Sequence, residues 1–138
     1  MTAASGLPTR PLYDSTDSLL RFAMRVDATL TGLCGLAVAF FADPISSLTG
    51  LTSGQEYAMG AFFVLAGLAV FSLAAAPDLR RVGIGIVVAN VVFTLAAIVA
   101  AEAAPMLTAT GVAATLATGV YTAAFAGLQY LGVRRLAT

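Results

Sequence analysis

The feature that most constrains this chain is a set of four apolar runs, each close to the length a helix needs to cross a bilayer. A spanning helix takes about 20 apolar residues at 1.5 Å each to cross a hydrocarbon core of about 30 Å. The runs at about 24–42, 57–76, 82–101 and 107–131 approach or reach that length, and short polar breaks separate them. The expected fold is therefore all-α, a four-transmembrane-helix up-and-down bundle, because short connections force neighbouring helices to be antiparallel. Composition agrees: 59% of the 138 residues are hydrophobic and 10% are charged, far from a soluble domain. Four spans use more than half the chain, so residues 14–138 read as one membrane domain with no room for a soluble one.

Residues 1–13 are polar, carry Pro8 and Pro11, and read as a flexible cytoplasmic tail. Asp14 and Asp17 have the spacing of a capping box and start the first helix, with Asp17 and Arg21 placed one turn apart for an ion pair. The apolar run Ala28–Ala42 reaches only about 22 Å, so the span recruits Met24 to Asp27. Asp43-Pro44 is expected to stop this helix, with 44–51 forming an interfacial turn. Ser53 and Glu56 match a second capping box ahead of span two, which Pro77 closes. Arg21 and Arg25 before an apolar run ending in Ala37-Val38-Ala39 imitate a secretory signal. Asp27 interrupts that run and the leader would be long, so a retained span is expected.

All seven basic residues are arginines, and their distribution sets an orientation. Arg10, Arg21 and Arg25 precede span one, Arg80 and Arg81 join spans two and three, and Arg134 and Arg135 follow span four. The other two loops have none. By the positive-inside rule both termini and the middle loop face the cytoplasm (N-in/C-in), with Asp43, Glu56 and Glu102 outside. The setting implied is a bacterial cytoplasmic (inner) membrane crossed several times.

Several function classes drop out. Charges are sparse and formally balanced, so no nucleic-acid partner is expected. Cys34 is the single cysteine, which leaves no thiol pair for disulfide exchange. Histidine is absent, and with it the commonest metal ligand and general base. No catalytic constellation, metal set or cofactor motif remains, so the expectation is not an enzyme, with no cofactor.

The informative residues are the polar ones placed where lipid penalises them. Asp27 is an ionisable group inside span one, and an intramembrane acid is a functional hypothesis by default. Thr31 lies one turn deeper on the same face, and Gln129 of span four sits at a similar depth, so an Asp27–Gln129 bond between helices is expected. Asn90 lies near the middle of span three, where an amide acts as interhelical glue. Thr115, Thr118, Thr122, Phe125 and Gln129 recur every three or four residues and form a stripe that should face protein. Asp27, Thr31, Asn90, Thr118, Thr122 and Gln129 are thus the candidate intramembrane polar cluster. The alternative is structural: threonines bond their own helix carbonyls, and Asp27 caps a neighbouring backbone or pairs with Arg81 or Arg134 to fix helix register.

Arg25 with Asp27-Ala28, Gly32 and Gly35, Asn90 followed by Phe93, Thr108 with Gly111, and Leu128-Gln129 before Gly132 and Arg134-Arg135 form a pattern along nearly all the spans. It resembles a group of small bacterial four-helix membrane proteins with no assigned activity, in which the aromatic after Asn is often Trp. The resemblance implies the fold and supplies no mechanism. Four short helices with an acid in the first are also similar to small multidrug transporters. Their acid sits deeper and their charge bias is weaker, so their function does not carry over. The leading expectation is a noncatalytic accessory or self-associating membrane subunit, with lipid and a homo-oligomer or larger membrane complex as partners. The rival is an oligomeric small-solute or proton-coupled transporter or channel.

Overall fold

The computed structural model describes residues 16–136, so the 1–13 tail and Asp14 lie outside the described residues. Within them are five helices and no strand: α1 (Ser18–Phe40), α2 (Ala42–Thr49), α3 (Ser53–Leu73), α4 (Leu79–Ala103) and α5 (Ala109–Leu136). α1, α3, α4 and α5 are each long and apolar enough to cross a membrane. Their most apolar windows are only 11% to 28% buried, and Phe22, Leu33, Leu65, Leu68, Val99 and Val120 are exposed. Such a surface suits lipid as solvent and not water.

Local chemistry fixes the helix ends. Asp17 precedes α1 but makes no side-chain cap; its carboxylate instead accepts from Arg21 Nε at 2.9 Å. α1 ends at Phe40, earlier than the Asp43-Pro44 stop, because a proline ring collides with the carbonyl four residues back, which is that of Phe40. The chain resumes as α2, so the expected interfacial turn is a helix of eight residues with Asp43 in its first turn. α2 closes on Gly50 in the left-handed conformation, where a Cβ would collide with the Met106 carbonyl oxygen. The capping box of α3 uses Thr52 and Gln55, one residue ahead of the Ser53–Glu56 pair. Both pairs fit the motif; taking the earlier one turns Glu56 inward, where it is buried against Thr49. Asp78 caps α4 through Arg81 N, and Thr108 accepts from Gly111 N at the start of α5.

α1 packs along α3 and α4 along α5, and contact between α1 and α5 joins these two hairpins. α3 and α4 are consecutive yet barely touch, meeting through their connection and the Phe62 and Phe93 rings, 5.7 Å apart. The Arg21 guanidinium donates to the Ala74 and Ala76 carbonyls past the end of α3, while Leu20, Met24, Ala74, Leu79 and Val133 form a buried cluster there. At the other end Thr108 N donates to Thr49 O at 3.0 Å. The four long helices therefore alternate in direction. In lipid no hydrophobic force draws helices together, so close backbone approach matters. Between α1 and α3 it is tight: a Cβ on Gly35 would lie 2.5 Å from Gly60 O, and one on Gly67 would lie 2.7 Å from Ala28 O.

Candidate functional site

Asp27 lies nine residues past the start of α1, about 13 Å along the axis, and is 5% exposed. Helices α1, α4 and α5 converge on its carboxylate. Oδ2 accepts from Gln129 Nε2 at 2.8 Å and from Asn90 Nδ2 at 3.2 Å, and Asn90 Nδ2 also donates to Gln129 Oε1 at 2.7 Å. Oδ1 accepts from the Tyr121 hydroxyl at 2.9 Å and from Thr31 Oγ1 at 3.1 Å. Gln129 is wholly buried. The four donors are neutral, and the expected pairing with Arg81 or Arg134 is not formed; the ion pairs Arg21–Asp17 and Arg81–Asp78 lie nearer the helix ends. Arg25 is exposed, two residues from Asp27 and so on another face. Hydrogen bonds alone therefore satisfy this carboxyl group.

The hydroxyl groups give the cluster a second arrangement. Tyr121 Oη also lies 3.0 Å from the carbonyl oxygen of Asp27 and 3.1 Å from Thr31 Oγ1. With Asp27 ionised, both hydroxyls donate to Oδ1. With a proton on Oδ1, that proton is donated to the Tyr121 oxygen, and the Tyr121 proton turns to the Asp27 carbonyl. Each hydroxyl oxygen both donates and accepts, so either state is satisfied without moving a heavy atom. The cluster thus offers two hydrogen-bond arrangements, and among the described residues it sets no nucleophile beside a base.

Of the six candidate residues, Asp27, Thr31, Asn90 and Gln129 meet directly. Thr122 lies beside them, its hydroxyl 2.7 Å from that of Thr94, which donates to the Asn90 carbonyl at 2.9 Å. Thr118 does not join; it bonds back to Ala114 O at 3.0 Å. The threonine stripe of α5 thus divides, with Thr122 and Gln129 buried and Thr115, Thr118 and Phe125 half-buried. Tyr121 and Thr94 are the members that sequence reasoning missed. A mid-span tyrosine needs a partner for its hydroxyl, and Thr94 stands one turn after Asn90, so both carried a usable signal.

A cavity of about 390 Å³ between α1 and α5 borders the cluster, lined by Leu30, Thr31, Cys34, Phe63, Thr118 and Tyr121 among others. Thr31 and Tyr121 form the wall between it and Asp27. Of the arginines expected to set the topology, Arg21 and Arg81 pair with acids, and Arg25, Arg80, Arg81, Arg134 and Arg135 are exposed. Among the described residues no three Cys, Asp or Glu gather as a metal site would require. Compared with family models, curated proteins and solved structures, the chain matches none. The fold defines a class, a small helical protein with four candidate membrane spans, and the buried carboxyl cluster is its distinguishing feature.

Proposed function

We propose that this chain is a noncatalytic subunit of a bacterial cytoplasmic membrane, self-associating or accessory to a larger complex, with both termini in the cytoplasm. The orientation rests on the arginines, all of which lie before span one, between spans two and three, or after span four. One observation supports the subunit reading above the rest. The intramembrane polar groups are used up by one another across α1, α4 and α5, and no buried side-chain nitrogen or oxygen among the described residues lacks a partner. A cluster of that kind fixes helix register and leaves the lipid-facing surfaces to make contacts. Affinity purification from native membranes in mild detergent, with the mass of the complex recorded, tests it. A stoichiometric different protein or a defined homo-oligomer is the expected result; a lone monomer in every detergent rejects the reading.

The rival, a small-solute or proton-coupled carrier acting as an oligomer, draws on the cavity at Thr31, Thr118 and Tyr121 and on the two hydrogen-bond arrangements of Asp27. Solute flux in liposomes separates the readings. Transport that depends on pH and is lost in Asp27→Asn supports a carrier, and absence of flux for the intact chain rejects it.

A further inference from the structure

At the arginine-bearing end of the bundle, α4 and α5 enclose a groove of about 520 Å³ on the lipid-facing side, used by neither the Asp27 cluster nor the subunit reading. Ile84 and Val87 of α4 and Tyr130 and Val133 of α5 form its apolar walls. Val133 is buried, and a Cβ on Gly83 would lie 2.9 Å from its Cγ2, so the helices close the floor. Two guanidinium groups complete the lining, those of Arg80 and Arg134. Arg80 is the second residue of α4 and Arg134 the third from the end of α5, so charge sits at the helix ends and the apolar wall runs inward.

The electrostatics at this end leave both arginines available. Asp17 is paired with Arg21 and Asp78 with Arg81. Arg80 and Arg134 are exposed and, among the described residues, neither has a carboxylate partner; Arg134 instead lies over the Tyr130 ring, 6.0 Å from its centroid. That contact holds one guanidinium beside the groove. We propose that the groove is a binding site for one anionic phospholipid, with the phosphate between Arg80 and Arg134 and an acyl chain against Ile84, Val87 and Val133. Guanidinium groups match phosphate oxygens bidentately, and basic residues near the membrane surface attract anionic lipid. A pocket of this size holds a headgroup-sized ligand, in the range of about 300 to 1,000 Å³ typical of small-molecule sites. A zwitterionic lipid brings its own ammonium and loses the advantage of the paired arginines.

The test is native mass spectrometry of the full-length chain in detergent, titrated with phosphatidylglycerol. Replacing both lining arginines (R80Q with R134Q) should weaken binding roughly thirtyfold, taking each basic residue at about fivefold. The control R81Q with R135Q removes the same charge from the same two segments and should stay within about threefold of the parent. Val87→Trp fills the groove with both arginines intact and should also abolish binding. Equal losses in the two arginine double variants, equal affinity for phosphatidylcholine, displacement of the lipid by comparable concentrations of inorganic phosphate, or full binding by Val87→Trp would each overturn the proposal.

Discussion

Two buried acids stand in opposite halves of this bundle, and their partners differ in kind. Asp27 is held by Asn90, Tyr121 and Gln129, which lie 63, 94 and 102 residues away, as well as by Thr31 on its own helix. Glu56, 1% exposed, takes its hydrogen bond from Thr49, seven residues back across the α2–α3 elbow. Both carboxyls are removed from solvent, yet one ties three long helices together and the other stiffens a local turn. Burial of an acid therefore says little until the sequence distance to its partners is known.

The largest effect that could break this comparison is expected from Asp27→Leu, which removes the shared acceptor of two amides and two hydroxyls. Intramembrane hydrogen bonds are worth about 0.6 to 1.7 kcal/mol each, so four lost bonds should lower stability by about 2 to 4 kcal/mol. Denaturant titration of helicity in mixed micelles measures it, and a loss below about 1 kcal/mol contradicts a three-helix tie. Gly50→Ala should follow, at about 2 kcal/mol or slightly more, since the cost of about 1 to 2 kcal/mol for a left-handed alanine adds to a collision with the Met106 carbonyl. Its damage should stay at the α2–α5 end, leaving Cys34 labelling rates beside the Asp27 cluster unchanged. Glu56→Gln should cost about 1 kcal/mol or less, because the amide oxygen still accepts from Thr49.

Asp27→Asn should be the smallest change and the sharpest test. Its carboxamide oxygen can take the place of Oδ2, and its NH2 can donate to Tyr121 and Thr31 once the Tyr121 proton turns to the Asp27 carbonyl. A loss under about 1 kcal/mol is expected by the same denaturant titration. A loss matching Asp27→Leu shows instead that the ionised form is the one the bundle holds.

The four long helices were legible because about 20 apolar residues in lipid have few alternatives to a helix. The Asp27–Gln129 bond was legible for a related reason: counting from the arginine-bearing ends places both residues at one depth, and the bond is present. Helix ends were less readable. Proline acts on the carbonyl four residues back, which moves the end of α1 to Phe40, and two overlapping capping patterns at 52–56 can be separated only by what Glu56 meets. Tyr121 was hidden because its ring reads as apolar and only its hydroxyl is polar. Thr118 was misplaced because spacing along one helix does not reveal which part of a stripe its neighbours cover.

The division into two hairpins has a consequence for how the protein is made. Asp27 belongs to the first hairpin, while Asn90, Tyr121 and Gln129 all belong to the second. At about 5 to 20 residues per second, Gln129 leaves the ribosome about 5 to 20 s after Asp27. During that interval the nascent first hairpin has only Thr31 of the four side-chain donors, so the insertion machinery, water or a proton must tend the acid until the second hairpin arrives.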